Sequence, residues 1–144
     1  MKDELMVNIL RQAIALSLIA GTIHFVCQPA FAASTCTGVD TRLTKQRRTD
    51  YAKLVANSLN QNVKPSKVDV KQFMQAGTWT VVYAYVPVAD PGYFFFDTST
   101  GKSEFKDVWG GVAEKSEAPE ILKWATKLGA NKPIASCFAD SVAG

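Results

Sequence analysis

Histidine is almost missing from this chain of 144 residues. The single one, His24, falls in an apolar leader. Without an imidazole, the rest of the chain cannot build Ser-His-Asp or Cys-His nucleophilic arrangements. Zinc sites that rely on imidazole and the ordinary side-chain switch near neutral pH are excluded as well. Neither sign of charge dominates: 16 Lys+Arg face 13 Asp+Glu, a formal charge of +3. No long basic run and no interleaving of basic with aromatic residues is present, so no nucleic-acid footprint is expected. A phosphate-binding glycine loop is also missing. Gly101-Lys102-Ser103 looks like the end of a Walker motif, but the glycine five residues earlier is absent and no helical pattern follows. The turn Asp97-Thr98-Ser99-Thr100-Gly101 has too few carboxylates for calcium. Asp90, Asp97, Glu104 and Asp107 cluster along the chain, but a carboxylic acid working as a general acid needs burial to raise its pKa. Turns and exposed strand faces do not provide it. The expectation is a chain with no catalytic residue, no cofactor and no metal.

The leader is the clearest signal present. Ala13 to Val26 is a 14-residue run without charge, preceded by Arg11 and followed by Pro29-Ala30-Phe31-Ala32. A short apolar core ahead of an Ala-x-Ala site reads as a secretory signal peptide, whereas a membrane span needs about 20 residues. The acidic pair Asp3 and Glu4 is unusual there, and translation starting at Met6 would remove it. Cys27 follows Phe25-Val26 rather than the small residues of a lipoprotein site. The expected organisation is a signal peptide at 1–32 and a single domain at 33–144, periplasmic or secreted, with no stable membrane span after cleavage. The remaining 112 residues keep 14 Lys+Arg against 11 Asp+Glu.

Cysteine is scarce in a useful way. Once Cys27 leaves with the leader, Cys36 and Cys137 remain, near the two ends. An even pair in an exported chain reads as a disulfide.

The densest run of β-branched and aromatic residues is Thr78 to Phe105. Asp90-Pro91-Gly92 interrupts it with turn residues and Ser99-Thr100-Gly101 marks a second reversal, so an antiparallel meander is expected. Lys67 to Phe73 alternates as a half-exposed edge strand, with lysines that discourage stray pairing. Thr78 to Val88 is apolar on both faces, as is Tyr93 to Thr98, and such strands are normally covered on both sides. That cover comes from a second helix, a loop or another protein. Ser103 to Trp109 is a weaker fourth strand, with Phe105, Asp107 and Trp109 on one side. Residues 41–62 read as a helix capped by Asp40 or Thr41. Its buried face carries Leu43, Arg47, Tyr51, Leu54, Val55 and Leu59, and Arg47 can lay its stem along that face. Lys45, Arg47 and Arg48 near its start oppose the helix dipole, which fits either a solvated face or an acidic partner. Ser116 to Gly129 reads as a second helix with Gly129 at C′. Pro133 to Phe138 reads as a short extended tail.

The expected fold is therefore α+β: one antiparallel four-stranded sheet flanked by an N-terminal and a C-terminal helix. Trp109-Gly110-Gly111 is either a core anchor with a bend or a binding tip, since exposed tryptophan is enriched at hot spots. The functional expectation is a non-catalytic binding module whose partner is another exported protein. An inhibitor or immunity protein against a cell-wall-degrading enzyme is one such module. The contact residues expected are Trp109, Tyr93, Asp90, Gly110 and Gly111. The alternative is a periplasmic carrier that lines a small-molecule or lipid site with the aromatic sheet face. A homodimer through that face is compatible with both.

Overall fold

A computed structural model describes residues 36–144, and the leader reading lies outside them. The described part is α+β. Helix α1 (Lys45–Ser58) precedes four strands, β1 (Asp69–Ala76), β2 (Trp79–Val86), β3 (Ala89–Asp97) and β4 (Glu104–Gly110). Helices α2 (Ala118–Leu128) and α3 (Lys132–Ala143) follow. The strands form one antiparallel sheet in the order β1-β2-β3-β4, the expected meander.

Both faces of the central strands are apolar because both are covered from within the chain. Thr80, Val82 and Ala84 of β2 lie with Phe94 and Phe96 of β3 against α1, around Ala52, Val55 and Ala56. Trp79, Val81, Tyr93 and Phe95 face the other way, onto Ile121 and Ala125 of α2 and Ile134, Cys137 and Phe138 of α3. The sheet is thus the middle of three layers.

Helix α1 starts later than the sequence reading placed it. The cap is Thr44, whose hydroxyl accepts from the Arg47 N–H at 3.2 Å, rather than Asp40 or Thr41. The expected apolar residues do pack inward, though not all from the helix: Tyr51 and Leu54 of α1, Leu59 at its C-cap and Leu43 from the segment before it lie against the cluster that holds Val55. Arg47 lies with its guanidinium carbon 4.2 Å from the centre of the Phe73 ring and pairs with Asp40 at 2.8 Å. This pairing offsets the unfavourable position of Arg47 in the helix dipole.

The largest departure is the tail. Pro133 to Phe138 is not extended but belongs to α3, which is capped by the Asn131 side chain accepting from the Ile134 N–H at 3.1 Å. Proline is tolerated in a first helical turn, where its missing N–H has no partner to lose. The turn between β2 and β3 also differs: it falls at Pro87-Val88, so Asp90-Pro91-Gly92 is already strand. Pro91 is accommodated because β4 does not extend beside it (Gly92 is already opposite Gly110, the last residue of β4) and the β2–β3 register is irregular there. Gly92 has its own reason. A Cβ at this position would meet Val108 Cγ2 at 2.9 Å and the Trp109 carbonyl at 3.0 Å.

The reversal between β3 and β4 is held by Asp97, which is buried. Its carboxylate accepts from the Ser99 hydroxyl and from the Ser99 N–H at 3.2 Å. The Ser99 hydroxyl, followed by that of Thr78, holds the acid below its ordinary pKa of 3.8. A carboxyl that is more acidic in the folded chain contributes stability that is complete above its unfolded pKa and fades as pH falls through about 4 and below. Asp97→Asn is therefore expected to lower stability at neutral pH and to flatten the acid limb of the stability profile. Denaturant melts between neutral pH and about pH 3 read this directly. Parallel profiles for parent and variant would remove Asp97 from that role.

Cys36 and Cys137 are bonded, closing a span of 101 residues. The segment that leads from Cys36 to α1 changes sides of the sheet: Cys36 and Val39 pack with the α2–α3 layer, and Leu43 packs with the α1 layer. Between them, Asp40 and Gln75 exchange two backbone hydrogen bonds of 2.9 Å. The segment therefore wraps round the outer edge of β1.

Candidate interaction surfaces

The two aromatic residues expected at a contact are turned inward. Tyr93 is 6% exposed. Its ring meets Tyr83 at 4.7 Å and Phe138 at 5.2 Å between centroids. Its hydroxyl donates towards the Ser141 carbonyl at 3.3 Å, with the Gln72 side-chain oxygen at 3.4 Å. Burial raises its pKa, and the neighbouring Tyr83 adds to the shift. Trp109 is half-buried, with its ring 5.1 Å from Trp124 and 6.2 Å from Phe138. Its indole N–H has no acceptor among the described residues. Of the two sequence readings of Trp109, the core anchor is the one that matches this packing.

Asp90, Gly110 and Gly111 are exposed, and the register of Gly92 opposite Gly110 brings them to the same end of the sheet. Gly111 adopts φ +98°, a conformation that disfavours any side chain. Val112 beyond it is fully exposed.

Sequence reasoning missed a different pair on the same strand. Phe105 and Val108 are 39% and 41% exposed. They are three residues apart, a spacing that places strand residues on opposite faces. A register shift changes this: Asp107 opposes Phe95 and Phe105 opposes Phe96, which leaves Lys106 with no opposite residue. Such a bulge brings both Phe105 and Val108 to the α1 side. The expectation that Phe105 shares a face with Asp107 and Trp109 is corrected accordingly. Phe105 lies 6.3 Å from Phe94 and 5.9 Å from Phe96 between ring centroids, at the margin of the layer that α1 covers. From α1, Tyr51 reaches as far as Phe96, at 5.6 Å.

The two edges of the sheet are treated differently. At β1, the Asp40 segment pairs with Gln75, and Arg48 donates to the Val70 carbonyl while lying 3.6 Å from Asp69. Among the described residues, no segment pairs with the outer edge of β4. An unpaired edge presents backbone donors and acceptors to any extended chain that reaches it.

The clustered carboxylates do not look like acid catalysts. Asp97 is held low by Ser99. Glu104 is also shifted down, first by the Thr100 hydroxyl and then by Lys106. Both shifts run against the raised pKa that a general acid needs. Among the described residues, no group of three His, Cys, Asp or Glu side chains is placed to hold a metal ion, and no helix is long and apolar enough to cross a membrane. Neither a protein-family model, nor a curated protein, nor a solved structure matches the chain.

Proposed function

We propose that this chain is an exported, non-catalytic module that binds another exported protein, and that β4 is its main contact element. In its finer form, the reading is an inhibitor or immunity protein against a cell-wall-degrading enzyme. The observation that carries it is the state of β4: an open strand edge next to two exposed apolar side chains, Phe105 and Val108. Strand addition combines backbone hydrogen bonds with side-chain pockets, and β4 presents both kinds of group. The disulfide supports the exported setting, because such bonds persist in oxidising compartments. The carrier reading gains no support from the packing. The aromatic faces it would use are filled, with Phe95 against Phe138 and Trp124 on one side and Phe96 against Tyr51 on the other.

The test is a pull-down from envelope extract with the oxidised protein from Ala33 onward as bait. One stoichiometric protein partner is expected. The double variant Phe105→Ser with Val108→Ser should stay folded, because both side chains are partly solvated, yet retain the partner at least about tenfold less well. Unchanged retention would move the contact away from β4. A blank pull-down together with a small molecule seen by native mass spectrometry would replace the reading with the carrier.

A further inference from the structure

Charge is unevenly divided along the described chain. Residues 36–76 hold eight Lys+Arg against three Asp+Glu, while residues 77–144 hold six against eight. The basic excess therefore belongs to α1, β1 and the connection between them. Some of it has internal partners: Arg47 pairs with Asp40, Arg48 is near Asp69, and Lys71 pairs with Asp69 at 2.6 Å. Lys53, Lys64 and Lys67 are exposed and form no ion pair among the described residues.

Lys53 lines a groove, and Lys64 and Lys67 belong to the 3₁₀ turn and its cap on the groove's other side. Between α1 and the 3₁₀ turn Pro65–Lys67 lies a depression of about 340 Å³, lined by Arg48, Thr49, Ala52 and Lys53 on one side and by Pro65, Ser66 and Val68 on the other. Its volume is at the lower end of the range for sites that take a compact ligand group. Its floor is apolar, since Ala52 and Val68 are 7% and 8% exposed. The α1 side of the groove is cationic, from Arg48 and Lys53; on the other side Lys64 precedes the turn and Lys67 ends it.

We infer that this groove receives an acidic segment of a partner protein. The segment seats one apolar side chain on Ala52 and Val68 and places its carboxylates along Lys53, Lys64 and Lys67. The inference rests on the reading above in one respect, that the occupant is a protein. Charge complementarity fixes the sign of the segment, and the recessed floor fixes its shape. A bilayer surface would need apolar side chains that project beyond the cations. Here the apolar atoms lie beneath them, which suits an inserted side chain.

The probe is a synthetic peptide of alternating Glu and Asp with one central Leu, capped at both ends and followed by fluorescence anisotropy on the oxidised protein from Ala33 onward. Binding is expected to weaken as salt is raised. K53E/K67E, which places like charges opposite each other, should weaken it at least about tenfold. K102E/K123E, made outside the basic half of the chain, should leave it unchanged, and replacing the peptide's Leu by Gly should weaken it in the parent. Circular dichroism shows whether each variant is folded. If no peptide binding is measurable, if K53E/K67E binds like the parent, or if phosphatidylglycerol vesicles are held more tightly than the peptide, the inference is overturned. The assay needs no partner from the envelope, so its failure and a blank pull-down are separate results. The first overturns the groove and the second overturns the β4 reading.

Discussion

Replacing Cys36 and Cys137 together by alanine is expected to cost about 2–5 kcal/mol of stability, the range seen when a native disulfide is removed from a small exported domain. The span closed is 101 residues, for which the chain-entropy argument gives roughly 4.7 kcal/mol at 25 °C. That is a large share of a total stability of about 5–15 kcal/mol. The position of the bond adds a structural consequence. Cys137 is fully buried in α3, and Cys36 begins the segment that wraps the edge of β1. Without the bond, that segment is held mainly by the two Asp40–Gln75 hydrogen bonds, the Asp40–Arg47 pair and the packing of Val39 and Leu43. Thermal melts of the double variant should show a midpoint about 10 °C or more lower. The reduced parent should fall by a similar amount, since alanine and thiol differ little in volume beside the lost cross-link. If parent, reduced parent and variant melt together, the bond does not contribute to native stability, and the exported reading loses one of its two supports.

How far the fold was legible follows from which signals local physics could express. The four strands are readable because Trp79–Val86 and Tyr93–Phe96 are dense in β-branched and aromatic residues, and because Ser99-Thr100-Gly101 can only be a reversal. The two-sided cover of the sheet is readable for the same reason, as strands apolar on both faces require it. Helix α3 was missed although its signals are present: Asn131 as cap, Pro133 in the first turn, then Ile134, Phe138 and Val142 at spacings of four. Pro133 is no obstacle to that helix, because in a first turn proline costs nothing. Asp90-Pro91-Gly92 misled in the opposite direction. Its glycine is required for the close approach of Val108 and Trp109, not for a turn, and a contact across strands leaves no local mark. The pair Phe105 and Val108 was hidden by the bulge at Lys106, because a single unpaired residue reverses the face of everything beyond it. Tyr93 and Trp109 look like contact residues by type, but the missing helix is what buries them: Phe138 of α3 lies 5.2 Å from one ring and 6.2 Å from the other.

Phe138→Ala is therefore expected to be the most damaging single substitution in the apolar core, at about 3–5 kcal/mol. Phe138 is fully buried. Around it stand Phe95 at 4.8 Å, Tyr93 at 5.2 Å, Trp124 at 5.9 Å and Trp109 at 6.2 Å between ring centroids. Three elements meet at this one side chain, namely β3 and β4 of the sheet and helix α2. Truncation removes the transfer free energy of the ring and also leaves a cavity whose walls are large aromatic groups that cannot easily collapse into it. Edge-to-face contacts such as those with Phe95 and Tyr93 add a smaller amount each. Phe138→Leu keeps much of the volume and should lose about half as much. The loss also has a functional reach. Trp109 anchors β4 through Trp124 and Phe138, so a folded but loosened Phe138→Leu protein should capture the partner less well even though Phe105 and Val108 are intact. Urea unfolding of the two variants, followed by the same pull-down, gives both readings. A cost for Phe138→Ala below about 1 kcal/mol would mean that α3 is not docked as described. Full partner capture by a clearly destabilised Phe138→Leu protein would show that β4 holds its shape without the aromatic cluster behind it.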